Sequence, residues 1–347
     1  MAPTNHAAWL REVNSPLQVG PSEIGHPGPG EVLVKNRAVA MNPIDWMIQY
    51  GAYPAGPLPK ILGNDVSGDI VEVGEGVTQF KKGQRVLAHA VGLATGEPRH
   101  GGFQEYTVVP TVGCCVIPDG MQYEEACVLP LAISTAAIGL FHEGRLGLRT
   151  PQDATETDYP EGEAILIWGG SSSVGTAAIQ LAVAAKYKVI TTASPRNFDL
   201  CKKLGASEVF DHSSPGIVGD LTAAMQQYTC RGAFDVFPVA AAKRDTQLNV
   251  AQVLAQLGGG KMTVVLPPIE ELPATVQASG IYAVTILQQD KALGKAIYGE
   301  FLPRALEQGT IKPAPSSDVV GHGVEHIQGA VEKLRAGVSG SKVVVTL

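Results

Sequence analysis

The feature that most constrains this chain is an alternation of short apolar segments and helix-prone segments between residues 164 and 266. The apolar run AILIW at 164–168 is followed by a Gly/Ser turn and an Ala-rich segment of high helix propensity. We predict strands at 164–168, 188–193, 208–211, 233–239 and 261–266, and helices at 174–186, 197–204, 217–228 and 245–257. Apolar strands that alternate with helices are typical of a parallel sheet covered on both faces. The pattern therefore predicts a doubly wound α/β domain.

The flanking parts of the chain have a different character. Up to about residue 129, short β-branched runs at 32–34, 70–73, 85–87 and 106–109 are separated by Gly and Pro, which predicts a mostly β domain. The tail reads as helices at 291–308 and 323–336 and a final strand at 342–345. A length of 347 residues also fits two domains. We therefore predict one domain over 1–129, to which 290–347 returns, and a second over 130–289, with a polar surface loop at 150–162.

Composition excludes several classes of function. The net charge is −7 and no cluster of Lys and Arg stands out, so we expect no nucleic-acid partner. The first 20 residues lack the pattern of a secretory leader, and we see no apolar stretch long enough for a bilayer. The five cysteines form no CxxC pair, which favours free thiols in a reducing compartment. These observations predict a cytoplasmic protein without a membrane segment.

The Gly/Ser turn at 169–175, GGSSSVG, predicts a phosphate-binding site. Small residues between a strand and a helix let the backbone approach a pyrophosphate, which the N–H groups and the positive helix end then hold. This places Ser171, Ser172, Ser173 and Val174 at the anion. A tight turn without a ligand is the alternative.

The end of the next predicted strand, TASPRN at 192–197, favours NADP over NAD. An NAD site usually has Asp or Glu here to hold the ribose 2′-hydroxyl, and this segment has neither. Ser194, Arg196 and Asn197 suit a 2′-phosphate instead. The alternative is that Ser194 caps the next helix and Arg196 is solvated.

Four motifs in order support a family resemblance: AMNPIDW at 40–46, GNDVSG at 63–68, EVGEGV at 72–77 and the GGSSSVG turn. Together they resemble the medium-chain dehydrogenase/reductase superfamily, over nearly the whole chain. The forms of the first and last motif resemble its fungal secondary-metabolism branch, which includes toxin-biosynthesis reductases and trans-acting enoyl reductases of polyketide synthases. The resemblance implies a GroES-like, mostly β substrate domain, a Rossmann domain and a cleft between them.

The same resemblance implies a protein without zinc. The positions that match the catalytic zinc ligands of the family hold Asn42, Asn64 and Leu131, which supply neither thiolate nor imidazole. The segment 91–102, where a structural zinc would need four cysteines, contains none. We therefore expect no metal site. Reduction of a conjugated C=C bond is then easier to support than oxidation of an alcohol, because hydrogen-bond donors can stabilise the resulting enolate.

The resemblance also carries over site residues. It places Ile44, Asp45, Trp46 and Met47 near the nicotinamide ribose, the two Ser-containing segments on the phosphates, and His212 near the adenosine phosphate, where a solvated loop histidine is the alternative. The remaining expected cofactor contacts are Leu257, Gly258, Ser341 and Lys342. The expected substrate contacts are Tyr53, Ser134, Thr135 and Leu266. Packing is the alternative role for Tyr53, and N-capping is the alternative role for Ser134 and Thr135.

These expectations combine into an NADPH-dependent, zinc-independent reductase that transfers hydride to a conjugated C=C of an enoyl or quinone-type secondary metabolite. A second hypothesis is a trans-acting enoyl reductase that serves a carrier domain of a polyketide synthase. Met47 counts against it, because relatives of that type often have Lys there. A third is a non-catalytic NADPH-binding protein. The predicted partner is a small molecule, and the predicted state is a monomer or a homodimer.

Overall fold

A computed structural model describes residues 4–154, 162–237 and 243–347. It divides into two compact units. The first comprises Met1–Leu131, Val284–Gly309 and Ser316–Leu347, and the second comprises Ala132–Ala283 and Thr310–Pro315. The return to the first unit thus begins at 284 rather than at the expected 290, and the short segment 310–315 belongs to the second unit. Most of the predicted surface loop, 155–161, lies outside the described residues.

The first part of the chain is mainly β-structure, as the sequence predicts. Its strands are β1 (Asn5–Leu10), β2 (Gln18–Ser22), β3 (Glu31–Ala40), β4 (Lys60–Ile61), β5 (Asp65–Val73), β6 (Arg85–His89), β7 (Tyr106–Pro110) and β8 (Cys114–Val116). The four predicted runs lie within β3, β5, β6 and β7. The helices are α1 (Pro43–Gln49), α2 (Gly92–Thr95), α3 (Tyr123–Ala126) and α4 (Pro130–Phe141).

The second unit is the doubly wound domain that the alternation predicts. Its elements are β9 (Glu163–Trp168), α5 (Ser173–Ala184), β10 (Lys188–Ala193), α6 (Phe198–Lys203), β11 (Glu208–Asp211), α7 (Ile217–Met225), β12 (Thr229–Asp235), α8 (Lys243–Gln256), β13 (Gly260–Val264) and β14 (Val276–Gly280). All pairs are parallel, in the order β11-β10-β9-β12-β13-β14. This is the Rossmann order, which reverses between β9 and β12.

Strand β12 differs most from its prediction. It begins at Thr229 and ends at Asp235, whereas the sequence suggested 233–239, of which 238 and 239 lie outside the described residues. The early start follows from pairing, because Thr229 already lies opposite Glu163 of β9. The register then shifts between Cys230 and Ala233, where Gly232 has a φ of +127°. A local apolar pattern does not show such an irregularity.

The tail completes the sheet of the first unit. It contains α9 (Thr285–Gln288), α10 (Lys291–Gly294), a π-helical segment (Lys295–Phe301), α11 (Leu302–Glu307), β15 (Ser316–His322), α12 (Ile327–Ala336) and β16 (Ser341–Thr346). Strand β16 pairs antiparallel with β3, so the sheet runs β15-β16-β3-β5-β6-β8 with β7 also on β3. The last strand therefore lies beside the residues that follow β3.

One helical stretch meets the length and composition of a membrane span, contrary to the expectation that none would. It runs from Tyr123 to Phe141 through α3 and α4, and 83% of it is buried inside the fold. Apolar core helices of globular proteins pass the same test, and the burial explains the high apolar content here.

Candidate cofactor and active site

The turn between β9 and α5 leads into a capped helix N-terminus. Ser172 is the N-cap of α5, and its Oγ accepts a hydrogen bond of 3.1 Å from the N–H of Gly175. The side chains of residues 171–174 are half-buried and lie at the carboxyl edge of the sheet. A helix N-terminus at this edge carries unpaired N–H groups and a partial positive charge. This geometry suits an anion, and the contact of these residues with a pyrophosphate stays a prediction.

Two glycines of this turn cannot be replaced without moving the backbone. A Cβ on Gly175 would lie 2.3 Å from the carbonyl oxygen of Gly169, and a Cβ on Gly170 would lie 2.2 Å from Oγ1 of Thr191. Both distances are far inside van der Waals contact. The turn is therefore packed closely on itself and on Thr191 of β10.

The ends of β10 and β11 bring together the residues expected at a 2′-phosphate. Oγ of Ser194 lies 3.1 Å from Nε2 of His212, and Nδ2 of Asn197 donates to Oγ of Ser171 at 3.3 Å. Ser194 makes no side-chain cap, so its hydroxyl does not have the alternative capping role. Arg196 is exposed. No carboxylate follows β10 directly, so the segment after this strand presents hydroxyl, guanidinium and amide groups, with the imidazole of His212 beside them.

Phe237 belongs to the same edge, and the sequence reasoning missed it. It was assigned to the interior of a strand, but it lies two residues beyond the end of β12. Its ring is 6.2 Å from the ring of His212. A Cβ on Gly169 would be 3.6 Å from this phenylalanine. Strands β11 and β12 are three positions apart in the sheet, so the two rings approach each other across the ends of β10 and β9. Only the tertiary structure shows this.

The site residues predicted after β12 lie at opposite edges of the sheet. Leu266 follows β13, and the preceding N–H, of Val265, donates to the carbonyl of Asp235 at the carboxyl edge. Leu257 and Gly258 precede β13, and Gly260 bonds to the residue before β14. They therefore lie at the amino edge of the sheet, whereas the phosphate turn lies at its carboxyl edge. This position does not fit the expected cofactor contact, because α8 crosses the sheet before reaching them.

In the first unit, Asp45 anchors the beginning of α1. Its Oδ2 accepts the N–H of Asn42 at 2.7 Å, and its Oδ1 accepts from the N–H of Gly63 and Nδ2 of Asn64 at 3.3 Å each. Asp45 is 1% exposed, and burial raises the pKa of its carboxyl to about 7. This geometry makes Asp45 a positioning residue. Ile44, Trp46 and Met47 on the same helix are half-buried, and their contact with a nicotinamide ribose stays a prediction.

A buried ion pair, Lys342 with Asp65, contacts two of the residues that match the family's zinc ligands, Asn42 and Leu131. Nζ of Lys342 lies 2.9 Å from Oδ2 of Asp65 and 2.5 Å from Oδ1 of Asn42. Asp65 also accepts Nδ2 of Asn42 at 2.8 Å and the N–H of Leu131 at 2.6 Å. Ser341 and Lys342 are expected to contact the cofactor, but the amine of Lys342 is held inside the first unit.

These residues do not fit a zinc ion. The nearby carboxylate already has an ammonium as its partner, and the amide groups at 42 and 64 are hydrogen-bonded to carboxylates. Zinc in proteins prefers thiolate and imidazole ligands. His89 lies on β6 opposite Asp65, and burial lowers the pKa of its imidazole to about 4. Within the described ranges, no group of three or more His, Cys, Asp or Glu could hold a metal.

The expected substrate residues have mixed positions. Tyr53 is half-buried in the loop after α1, packs against the core of the first unit, and its N–H donates to the carbonyl of Met47 at 3.0 Å. Ser134 and Thr135 are 0% and 8% exposed. Helix α4 begins at Pro130, so both lie in its second turn and the alternative of N-capping was wrong for them. Their contact with substrate stays a prediction.

Comparison with known proteins agrees with this architecture. Residues 28–119 match the alcohol dehydrogenase GroES-like domain, and residues 173–278 match the zinc-binding dehydrogenase family. The chain is 40% identical to dehydrogenase azaJ of Aspergillus niger, over 99% of both chains. It is 38% identical to trans-enoyl reductase himH of Aspergillus japonicus, over 99% of this chain and 97% of the relative.

Solved structures share the fold at lower identity. An alcohol dehydrogenase superfamily protein from Novosphingobium aromaticivorans matches with a TM-score of 0.78 and 24% identity, over 99% of this chain and 100% of that one. The CurK enoyl reductase matches with a TM-score of 0.75 and 21% identity, over 99% of each chain. Mycobacterial Rv1454c, solved with NADPH, matches with a TM-score of 0.72 and 23% identity, over 99% of this chain and 100% of that one. The chain therefore belongs to the medium-chain dehydrogenase/reductase superfamily, as an oxidoreductase of its fungal secondary-metabolism branch.

Proposed function

We propose that this protein is an NADPH-dependent reductase that transfers hydride to a conjugated C=C bond without a metal ion. The observation that carries the choice of cofactor is the carboxyl edge of the Rossmann sheet. This edge carries the glycine-lined turn, Ser194 in contact with His212 and the exposed Arg196, and no carboxylate directly follows β10. A hydroxyl, a guanidinium and an imidazole favour a 2′-phosphate, whereas a carboxylate would repel it.

The first unit supports the choice of reaction. When bound, the nicotinamide supplies the hydride. Because Asp65 is paired with Lys342, these residues offer no ligand set for zinc. The proposed reaction therefore uses no strong Lewis acid to polarise an alcohol oxygen. Reduction of an enone does not need such a Lewis acid, because hydrogen-bond donors can stabilise the charge that develops on the carbonyl oxygen. The protein then acts mainly by orienting the two reactants and excluding water.

The names of relatives favour an enoyl substrate. The relative himH and two others, at 34% and 36% identity, are named trans-enoyl reductases, and CurK is named an enoyl reductase. A trans-acting enoyl reductase that serves a polyketide synthase carrier is therefore our second candidate. Met47 distinguishes the two, since a thioether neither donates a proton nor binds a charged carrier group. We favour a free small molecule in the cytoplasm as the substrate.

The test is an assay of purified protein with NADPH and NADH, using free enones and a carrier-linked enoyl thioester. We expect stereospecific oxidation of NADPH with free enones, a preference over NADH and no bound zinc by elemental analysis. Turnover of the carrier-linked thioester alone would favour the second candidate. Tight NADPH binding without turnover of any substrate would refute the proposed reaction, and stoichiometric zinc would refute the metal-free mechanism.

A further inference from the structure

Two lysines of the first unit are buried, and they differ in their partners. Lys342 is 3% exposed and has a carboxylate and an amide oxygen beside its amine. Lys60 is 6% exposed, and its amine donates to the backbone carbonyl of Ala55. Among the residues that the structure describes, no carboxylate lies within the 4.0 Å of an ion pair from Lys60. The second lysine is therefore buried without a counter-charge.

A buried ammonium of this kind is costly. It carries three N–H donors, of which one has an acceptor here. Burial lowers the pKa of Lys60, and no nearby negative charge offsets the effect. A buried charge is normally paired, because its desolvation is otherwise not compensated. Charges kept in such positions at the expense of stability are a feature of binding and catalytic sites.

Lys60 lies at the end of the loop that carries Tyr53, a predicted substrate contact. This loop follows α1, and Lys60 opens β4. Gly56 lies above the amine in the same loop. A Cβ there would be 3.6 Å from Nζ, and its φ of +68° also disfavours a side chain. A larger residue at this position would contact the amine, so glycine leaves that side of the ammonium without a side chain.

We infer that Lys60 binds an anionic group of the substrate, a carboxylate or a phosphoester, at a distance from the C=C bond that is reduced. The inference rests on the proposed function for the identity of the reaction, but the anion site itself does not need turnover. An anion would provide the partner that the amine lacks and would use its remaining donors. Substrates that carry a carboxylate or a phosphate should then bind more tightly than their neutral analogues.

The kinetic test compares substrates that differ in charge. Monomethyl fumarate carries a carboxylate and dimethyl fumarate does not. Crotonoyl-coenzyme A carries phosphates, and crotonoyl-N-acetylcysteamine is neutral. For Lys60→Met we expect KM to rise about tenfold or more for the charged member of at least one pair, and to stay within about twofold for both neutral members. Lys60→Arg should restore most of the difference. Lys81→Met, which removes an exposed lysine of the same unit, is the control.

A second measurement separates binding from packing and from turnover. Monomethyl succinate, which cannot be reduced, should raise the melting temperature of the wild type but not of Lys60→Met, and dimethyl succinate should raise neither. Without ligand, Lys60→Met should melt at the same or a higher temperature, because an uncompensated buried charge has been removed. Equal KM changes for charged and neutral substrates, or a lower melting temperature without any selective change, would overturn the inference. A wild type that binds no NADPH would instead refute the proposed function.

Discussion

Replacing Lys342 by Met should show whether its ion pair with Asp65 holds the first unit together. The substitution keeps an apolar side chain of similar length but removes the charge 2.9 Å from Oδ2 of Asp65, which is 0% exposed. Breaking a buried pair in this way costs about 3–5 kcal/mol. The N–H of Leu131 and Nδ2 of Asn42 remain as donors to the carboxylate. We therefore expect a loss near the lower end, about 3 kcal/mol of the free energy of unfolding.

The assay is urea unfolding, followed by the fluorescence of Trp9 and Trp46, which both belong to the first unit. A Trp168→Phe background removes the signal of the second unit. As a control, Lys333→Met removes a surface pair with Asp318 whose side chains are 45% and 33% exposed. Such an exposed pair contributes about 0–1 kcal/mol, so the control should change stability little.

The decisive variant is the double substitution Lys342→Met with Asp65→Asn. It removes both buried charges, and the cost should fall to about 1 kcal/mol, because no uncompensated charge remains. A recovery of the free energy of unfolding when Asp65→Asn is added would show that the two side chains act as an ion pair. If the single variant loses less than about 1 kcal/mol, or the double variant is no more stable than the single one, the ion pair does not have the role that its geometry assigns.

Four further outcomes test the site. In fluorescence titrations, Arg196→Ala should raise Kd for NADPH roughly 10- to 100-fold, because a charge-assisted hydrogen bond is lost, and leave Kd for NADH nearly unchanged. Equal increases of Kd for both cofactors would argue against a 2′-phosphate contact of Arg196. Gly170→Ala would place a Cβ 2.2 Å from a threonine oxygen, so we expect a lower melting temperature and a Kd for NADPH more than about tenfold higher, whereas Gly219→Ala, on helix α7 with no atom within 4 Å, should keep or raise the melting temperature and leave Kd unchanged. If the ring of Phe237, which lies beside Gly169 and His212, packs against the part of the dinucleotide that NADPH and NADH share, Phe237→Leu should weaken both by the same factor of about two to ten; a change confined to NADPH would contradict this. Burial raises the pKa of Asp45 to about 7, above its value in the unfolded chain. Its contribution to stability is therefore complete below about pH 4 and is lost as the pH rises through 7. Asp45→Asn should remove that part of the pH dependence of urea unfolding, and an unchanged profile would exclude Asp45 as its source.

The sequence alone determined the main features of the second unit. The alternation of apolar runs and helices predicted the parallel sheet, and the strands at 188–193 and 208–211 have the predicted bounds. This succeeded because a strand buried on both faces is apolar along its length, and because a glycine turn between a strand and a helix is a local feature. The same local signals indicated the phosphate turn and the group from Ser194 to Asn197 after β10.

The tertiary structure decided everything that depends on residues distant in the chain. The contact between Phe237 and His212, the placing of Leu257 and Gly258 at the far edge of the sheet, and the burial of Lys60 and Lys342 have no counterpart in local pattern. Each follows from strand order and register: β16 lies beside β3, and so brings residue 342 to residues 42 and 65. The spacing of side chains along one strand determines which of them share a face of the sheet. Only the pairing of strands determines which charged side chains contact each other.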